Sequence, residues 1–336
     1  MKKKHLICLG CEATAHTFGI GIVNQDCEIL ANVKDTFTTE QGGLIPREVA
    51  DHHFQVAFVI VQKALEKSGV QPNQIDVVSF SQGPGLGPCL KVGALAARTL
   101  ALTWNKPLLG VNHPVSHIEI GKALTDCQDP IVVYASGANT QIIGYQNGRY
   151  RVFGETLDTG IGNVLDSFGR SIGIGFPAGP TLDQWYFEKH DYLELPYSVK
   201  GMDLVFSGLL TAAQQKVKTF PKKDVSFSLL HTAFAMLTEV TERALAHTEK
   251  KEVLLVGGVA ASKGLQKMML EMCEKRNAKL FVPPSDVCTD QGAMIAWQGL
   301  IEFRSGRKQK LEDSRVNPLY RADQVEVSWI KNKKTG

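Results

Sequence analysis

The fold is indicated by a stretch near the start of the chain and by a later stretch that repeats its plan. Residues 6–35 read LICLGCEATAHTFGIGIVNQDCEILANVKD, and residues 131–158 read IVVYASGANTQIIGYQNGRYRVFGETLD. Each stretch contains three apolar or alternating segments separated by small polar turns, which predicts three consecutive β-strands. Thr17 and Thr140 open the second strand of each copy. We therefore interpret the two stretches as an internal duplication.

A second pair of segments corresponds in the same way. Residues 75–87, IDVVSFSQGPGLG, precede a helical pattern at 91–103, and residues 252–262, EVLLVGGVAAS, precede another at 263–276. Each copy is therefore a βββαβα unit, and two such units predict a two-lobed α/β fold. This plan resembles the actin, sugar-kinase and heat-shock ATPase superfamily, in which a nucleotide lies between the lobes. The alternative interpretation is an unrelated α/β protein whose segments match by chance.

The repeat also suggests where the domains divide. We predict a first lobe over residues 1–125, a second over 126–300, and a C-terminal segment over 301–336 that returns to the first lobe. Residues 178–250 have no evident counterpart in the first copy and are interpreted as a mainly helical insertion. Their apolar residues recur at helical spacing, which indicates a core stripe.

Composition places the chain among ordinary globular proteins. It has 336 residues, of which 43% are hydrophobic and 21% charged. No apolar run approaches the roughly 18 residues of a membrane span, and no signal peptide precedes the first strand, so we expect no membrane association. The seven cysteines are odd in number and scattered, which fits a reducing cytoplasm rather than a disulfide framework. Cys8 and Cys11 lie three apart in a strand and point to opposite faces, so they do not share a metal.

The charge balance limits how the chain binds nucleic acid. The 37 basic and 34 acidic residues leave a net charge of +3, so any RNA contact must be local. The candidates for RNA contact are two groups of basic residues near the C-terminus. The alternative interpretation is that both groups only lie on a solvated surface. They are Arg304, Arg307, Lys308 and Lys310, and then Lys331, Lys333 and Lys334.

Two common nucleotide-binding signatures are absent. The chain has no G-x-x-x-x-G-K-[ST], and Gly85-Leu86-Gly87 lacks the third glycine of a dinucleotide fingerprint. Glycine turns of another kind are present. The turn 136–140, SGANT, joins two strands, and its small side chains let backbone amides approach a phosphate. Gly257 and Gly258 follow a strand and precede a helix, where a purine or ribose can lie flat.

The most specific local signal is Asn112-His113-Pro114-Val115-Ser116-His117. Proline suits the first turn of a helix, so the two histidines lie one turn apart and can bind one ion. Ordinary surface or core histidines are the alternative. A metallopeptidase would carry glutamate where Pro114 stands, which excludes that class. Asp290, before an apolar helix, offers a third ligand from the other lobe or otherwise caps that helix.

At this point the residues resemble a known family. The matching strings are GCEATAHTFGIGIV, PREVADHHF, GPGLGPCLKVG, NHPVSH, YASGANTQI, FPAGPTLD, FSGLLTAA and CTDQGAMIA, spread over residues 5 to about 320. They resemble the universal tRNA N6-adenosine threonylcarbamoyltransferases. The details are similar to the archaeal and eukaryotic branch, which is the catalytic subunit of the KEOPS complex.

The resemblance implies an activity and a metal site. The activity is transfer of a threonylcarbamoyl group from threonylcarbamoyl-AMP to N6 of the adenosine beside the anticodon, in tRNAs that read codons beginning with A. The implied metal ligands are His113, His117 and Asp290, with Tyr134 as a fourth. A set of nitrogen and oxygen ligands suits iron or zinc.

The resemblance also implies a nucleotide site and partners. The partners are tRNA, a small ATPase of protein-kinase type and a small dimerising subunit. The implied contacts to adenine nucleotide or threonylcarbamoyl-AMP come from turns and helix starts along both copies. They are Tyr134, Ala135, Ser136, Gly137, Ala138, Asp166, Gly179, Asp183, Gly257, Gly258 and Ser262.

Three residues depart from the family pattern. Ser262 stands where asparagine is common, Ala138 replaces a frequent glycine, and Cys11 precedes Glu12 where archaeal relatives mostly differ. Because a single hydroxyl replaces a bidentate amide at Ser262, we expect weaker nucleotide binding. Two other functions compete with the transferase. An actin-like small-molecule kinase gives no reason for the two histidines, and a nucleotide-gated scaffold subunit would not need them for activity.

Overall fold

The computed structural model describes residues 5–39 and 44–330. Its first sheet contains five strands in the order β3-β2-β1-β4-β5, with β1 antiparallel to β2 and parallel to β4. Three helices belong to this part of the chain. The elements are β1 Ile7–Glu12, β2 Thr17–Asn24, β3 Ile29–Thr36, α1 Pro46–Ser68, β4 Val77–Gly83, α2 Gly87–Trp104, β5 Leu108–Asn112 and α3 His113–Ala123.

The second sheet has the same plan, since its order is β8-β7-β6-β11-β12 and β6 is antiparallel to β7 and parallel to β11. The predicted duplication is therefore confirmed. Its elements and the segments between them are β6 Ile131–Ala135, β7 Thr140–Gln146, β8 Arg149–Glu155, α4 Ile161–Ser171, α5 Gly179–Trp185, β9 Val199–Lys200, β10 Asp203–Leu204, α6 Ser207–Lys216, α7 Lys222–Thr248, β11 Glu252–Val256, α8 Lys263–Lys275, β12 Lys279–Phe281, α9 Ser285–Cys288 and α10 Gly292–Arg304.

The long helix α7 lies within the stretch 178–250 that the sequence suggested was an insertion. It connects β8 to β11 across the second sheet, as α1 connects β3 to β4 in the first. The segments α4 to α6, with the short β9–β10 ribbon, lack an equivalent in the first copy. The sequence pattern did not reveal the match between α1 and α7, because both helices are defined by apolar spacing rather than by a shared glycine motif.

Helix α10 packs on the first sheet although it follows the second in sequence. Gly10 of β1 and Gly21 of β2 present no side chain at the points where the backbone of α10 lies closest to the sheet. A Cβ at Gly10 would lie 2.6 Å from the carbonyl oxygen of Gly292, and one at Gly21 would collide with the backbone nitrogen of Ala293. The chain thus returns to the first lobe from Gly292 onward, earlier than the expected position 301.

Helix α3 makes the reciprocal crossing. Val115 and Ile118 of this helix share a core with Tyr134 and Val256 of the second sheet. The helices α3 and α10 therefore form a central layer between the two sheets, with α1 and α2 outside the first sheet and α7 and α8 outside the second. This layer brings the end of β5 and the start of α10 together.

The cysteines behave as small core residues. All seven are buried and free, and Cys8 and Cys11 enter the cores on opposite faces of the first sheet, as predicted. Burial raises the pKa of the Cys8 thiol to about 12. Among the helices of residues 5–39 and 44–330, none is long and apolar enough to cross a membrane.

Candidate metal centre and nucleotide cleft

The two histidines of the NHPVSH segment start α3 as the sequence predicted. Asn112 caps the helix, since its side-chain oxygen accepts a hydrogen bond of 3.1 Å from the Val115 amide, and Pro114 occupies the first turn. His113 and His117 are one turn apart and almost completely buried. The helix start therefore directs both imidazoles into the central layer.

Asp290 meets both imidazoles from the other half of the chain. Its Oδ1 lies 3.4 Å from His113 Nε2 and 3.3 Å from His117 Nε2. The potential ligand atoms of these three residues all lie within 4.8 Å of one another, so they could hold one metal ion. Lys34 of β3 steadies the Asp290 loop, because its Nζ donates to Thr289 Oγ1 at 2.6 Å and to the Asp290 carbonyl at 3.3 Å.

The electrostatics of this cluster favour the charged forms of His113 and Asp290. Burial opposes protonation of His113, but Glu12, Tyr134 and Asp290 together hold the pKa of its imidazole well above the ordinary value. Burial also disfavours the Asp290 carboxylate, yet the two imidazoles hold the pKa of Asp290 well below its ordinary value. For His117 burial prevails and lowers the pKa. Two carboxylates and two imidazoles in one buried space suit a bound cation.

The sequence analysis did not identify Glu12 and Thr14, which contact His113 at Nδ1, the ring nitrogen that faces away from Asp290. Glu12 Oε2 lies 2.9 Å from His113 Nδ1, and Thr14 Oγ1 lies 3.3 Å from the same atom. Thr14 donates its amide to Glu12 Oε1 at 2.7 Å. A hydrogen on Nδ1 leaves Nε2 free to bind a metal. The signal available in the sequence was a glutamate that ends a buried strand, since a buried carboxylate requires a partner.

Tyr134 lies beside the two histidines at the end of β6. Its ring centroid is 5.5 Å from that of His117 and 6.5 Å from that of His113. The side chain is buried, and burial raises the pKa of its hydroxyl. The second sheet thus contributes an oxygen donor beside the imidazoles.

The turn after Tyr134 presents free backbone amides. Ser136 closes it by donating its amide to the Asn139 carbonyl at 2.9 Å, and the Gly162 amide donates to the Ser136 carbonyl at 3.1 Å. Gly137 and Ala138 are exposed, and in the part of the chain that the structure describes their amides donate to no group. Two free adjacent amides can bind a phosphate oxygen.

The second glycine turn contains Gly257, which is packed against Ala135, and Gly258, which has no neighbour on its Cβ side. Gly257 has a φ of 93°, and a Cβ there would lie 2.5 Å from the Ala135 carbonyl oxygen, so only glycine fits. A Cβ at Gly258 would meet no atom within 4 Å, and the same holds for Gly179. Gly257 therefore brings the two turns together, while Gly258 leaves a flat, open surface.

The predicted carboxylates hold neighbouring segments in this structure. Asp183 accepts hydrogen bonds from the Lys263 amide at 2.9 Å and the Gly264 amide at 3.1 Å, and Ser262 Oγ donates to it as well. Asp166 accepts from the Ala178 amide at 2.8 Å, and burial raises the pKa of Asp166. Ser262 is the cap of α8, so its hydroxyl already has partners.

Comparison of the sequence with known proteins identifies close relatives. The sequence model of the tRNA N6-adenosine threonylcarbamoyltransferase family matches residues 28–297. The enzyme of that name from Thermococcus kodakarensis is 53% identical over 326 residues, which is 96% of this chain and 100% of the relative. A probable bifunctional tRNA threonylcarbamoyladenosine biosynthesis protein from Methanocaldococcus jannaschii is 50% identical over 330 residues, 98% of this chain and 61% of that longer protein.

Solved structures with distant sequences share the fold alone. HypF from T. kodakarensis superposes with a TM-score of 0.60 at 13% identity, over 92% of this chain and 49% of HypF. The activator of 2-hydroxyisocaproyl-CoA dehydratase from Clostridium difficile, solved with bound ADPNP, gives a TM-score of 0.53 at 12% identity, over 91% of this chain and 99% of the activator.

These neighbours have the actin-like ATPase fold, which confirms the predicted two-lobed architecture. Full-length relatives at about half identity decide the function, and they set aside a small-molecule kinase and a non-catalytic scaffold. The chain is a transferase that modifies tRNA, and it belongs to the tRNA N6-adenosine threonylcarbamoyltransferase family.

Proposed function

We propose that this transferase moves a threonylcarbamoyl group from threonylcarbamoyl-AMP to N6 of the adenosine beside the anticodon, in tRNAs that read codons beginning with A. We also propose that it uses a metal ion held by His113, His117, Asp290 and Tyr134. The observation that carries this proposal is the approach of both histidine Nε2 atoms to within 3.4 Å of one Asp290 oxygen.

The donor set fits iron or zinc, which both accept imidazole nitrogen together with carboxylate oxygen. His113 is already oriented for this role by its Nδ1 contact to Glu12. When bound, such an ion supplies Lewis-acid polarisation of a carbonyl or phosphoryl oxygen. The site combines residues of both halves of the chain, so a substrate bound beside it contacts both lobes.

The residues around this centre would bind and orient the donor substrate. Its acyl phosphate is already activated, so positioning and charge stabilisation dominate the work of the protein. The free amides of Gly137 and Ala138 donate to the phosphate, and the open surface at Gly258 lies beneath the adenine or ribose. Asp166 and Asp183 keep their bonds to the backbone amides and accept hydrogen bonds from the nucleotide with their remaining lone pairs, with Ser262 and Gly179 lining the same side.

We further propose that the chain works with a kinase-type ATPase and a small dimerising subunit in a KEOPS complex. The family resemblance supports this assembly. The methanogen relatives, whose names describe them as bifunctional, extend beyond the region that matches this chain. A second activity joined to the transferase in those relatives supports the proposal that this transferase acts together with another activity.

The test is nucleoside analysis of unmodified tRNA incubated with threonylcarbamoyl-AMP, the assembled complex and variants of this chain. His113→Ala and Asp290→Ala should abolish threonylcarbamoyladenosine formation and lower the bound metal content. His5→Ala is the matched control, because His5 is exposed and pairs with Asp26 on the surface. Normal product with either cleft variant would contradict a catalytic metal.

A further inference from the structure

Two adjacent histidines on α1 form a hydrogen-bonded chain that the site description leaves unexplained. His52 Nε2 lies 2.8 Å from Asp35 Oδ1, and His52 Nδ1 lies 3.3 Å from His53 Nδ1. His53 Nε2 then lies 2.8 Å from the carbonyl oxygen of Ala15. The chain therefore runs from the end of β3, through α1, to the turn between β1 and β2.

The contacts of His53 determine where its hydrogen lies. A carbonyl oxygen only accepts, so His53 Nε2 carries a hydrogen and donates it to Ala15. The side chain is fully buried, and burial lowers the pKa of His53 to about 4. The ring is therefore neutral, and its Nδ1 is an acceptor that needs a donor.

His52 supplies that donor, because its Nδ1 faces the bare His53 nitrogen at 3.3 Å. The other ring nitrogen of His52, Nε2, lies 2.8 Å from Asp35 Oδ1. His52 therefore links His53 to the end of β3.

Other charged groups act on the pair from the elements around it. Glu12 of β1 and His16 of the following turn both influence the His53 ring electrostatically. The rings of Phe18 and Phe37 pack against His53 and His52, with centroids 5.7 Å apart in each case. His53 is thus enclosed, whereas His52 is partly exposed and contacts the Asp35 carboxylate directly.

The carbonyl that His53 holds belongs to the turn that serves the metal centre. Neighbouring groups of this turn have other partners: the Ala13 amide donates to Ser81, Thr14 accepts from the Leu86 amide, and His16 accepts from the Phe37 amide. Thr14 in turn contacts Glu12 and His113. Fixing the Ala15 carbonyl therefore fixes the turn whose Thr14 contacts the Nδ1 side of His113.

We propose that His53 is a positioning residue, which together with His52 holds the turn 13–16 so that Glu12 and Thr14 keep His113 oriented. The consequence for catalysis rests on the proposed metal site, whereas the contacts of the His52–His53 pair do not. The partners of this pair, Asp35 and Ala15, both lie outside the metal centre.

The first test is nitrogen-15 NMR of histidine-labelled full-length protein from neutral pH down to about pH 5, without added metal. We expect His53 to hold its hydrogen on Nε2 and to stay neutral over this range. A hydrogen on His53 Nδ1, or a charged His53 ring within this range, would overturn the proposal.

The second test uses variants in the assembled complex. His53→Leu removes the donor to the Ala15 carbonyl. It should weaken zinc binding by about tenfold, which is the lower end of the range for residues that contact a metal ligand. It should also reduce kcat more than it raises KM. His53→Gln keeps a donor for Ala15 and should recover part of the loss. His52→Gln keeps a donor for His53 and should have a smaller effect than His53→Leu. His5→Gln, an exposed histidine, is the control.

The two proposals fail separately. If the NMR result holds while His113→Ala stays active, the hydrogen of His53 lies where we propose and the metal mechanism is wrong. If His53→Leu binds zinc as the parent chain does, with unchanged kcat and KM, the positioning role is wrong whatever the metal does.

Discussion

Glu12 controls which nitrogen of His113 faces the cleft. A neutral imidazole carries its hydrogen on one nitrogen, and the carboxylate 2.9 Å from Nδ1 holds it there. Carboxylate partners of this kind also make the ligating nitrogen more basic. His117 has no such support, since its Nδ1 is buried without a hydrogen-bond partner among residues 5–39 and 44–330. Metal binding by His113 should therefore depend on the contact of its Nδ1 with Glu12, whereas metal binding by His117 should depend on no such contact.

We predict that Glu12→Gln lowers zinc affinity by about 10- to 100-fold, the range for such partners. The glutamine oxygen can still accept the Nδ1 hydrogen, but it lacks the charge that strengthens the bond. Competition with a chromophoric chelator at neutral pH measures the affinity. Glu312→Gln is the control, because Glu312 is exposed and pairs with Lys310. Equal affinities for the two variants would remove Glu12 from the metal centre.

Ser262 illustrates a residue whose role changes once its contacts are known. Its hydroxyl accepts a hydrogen bond of 3.2 Å from the Leu265 amide and donates to Asp183, so it caps α8. We predict that Ser262→Ala lowers the free energy of unfolding by about 1 kcal/mol, whereas Ser262→Asn retains the cap. Urea denaturation measures both. A fully stable Ser262→Ala protein would show that the hydroxyl does not stabilise α8.

At the scale of elements, glycines permit α10 to contact the first sheet. We predict that Gly21→Ala destabilises the fold by about 1 to 3 kcal/mol or more, because the added carbon meets backbone that has little room to move. Gly208→Ala in α6 is the matched control, since a Cβ there meets no atom within 4 Å. Thermal unfolding compares the two. If both variants melted at the parent temperature, the close packing would be wrong.

Asp158 ties the segment before α4 to the start of α6. It accepts hydrogen bonds from the Thr159 and Ser207 amides at 2.7 Å and from the Phe206 amide at 3.1 Å. Burial opposes its charge, but these bonds prevail and lower the pKa of Asp158 to about 2. A carboxylate with a depressed pKa stabilises the fold above its unfolded pKa of about 4, and this contribution disappears as the pH falls towards 2.

We therefore predict that the parent chain is more stable than Asp158→Asn at pH 6 and that this difference shrinks steadily between pH 4 and pH 3. Denaturant unfolding at several pH values measures it. Asp126→Asn, at an exposed position, should show no such trend. A difference that stayed constant down to pH 3 would mean that the Asp158 carboxylate is not held by these amides.

The sequence predicted the parts of this fold that depend on local pattern. Strand alternation and the two glycine turns revealed the duplicated sheets, and the spacing of His113 and His117 indicated one ligand pair. The crossing of α10 was not predictable, because Gly10 and Gly21 read as ordinary strand glycines until the helix is placed on them. The contact of Glu12 with His113 likewise depends on residues that lie 101 positions apart.

At the scale of the whole molecule, the exchange of helices explains why the candidate metal site lies between the lobes. Helix α3 leaves the first sheet to pack on the second, and α10 leaves the second to pack on the first. His113 begins one of these helices, and Asp290 lies just before the other.

The distribution of basic residues limits how strongly the isolated chain binds tRNA. Of the four candidates at 304–310, Arg307 is paired with the buried Glu302, Lys310 lies 3.6 Å from Glu312, and Arg304 donates to the Gln25 carbonyl at 3.0 Å. Lys308 is exposed. The tail candidates Lys331, Lys333 and Lys334 lie outside the described residues. Most of the described group is therefore engaged within the protein.

We predict that the isolated chain binds tRNA weakly with a shallow dependence on salt. Each phosphate contact contributes about 0.7 to 0.9 to the slope of log affinity against log salt. With a net charge of +3 and most of the group at 304–310 engaged within the protein, we expect only a few such contacts. Titrations at several salt concentrations, for the chain alone and for the assembled complex, measure the slope. Lys308→Gln should lower the slope by about one contact, whereas Lys250→Gln, which pairs with Asp129, should leave it unchanged. Tight binding with a steep slope by the chain alone would mean that it carries the principal RNA site, because partners would then have little left to supply.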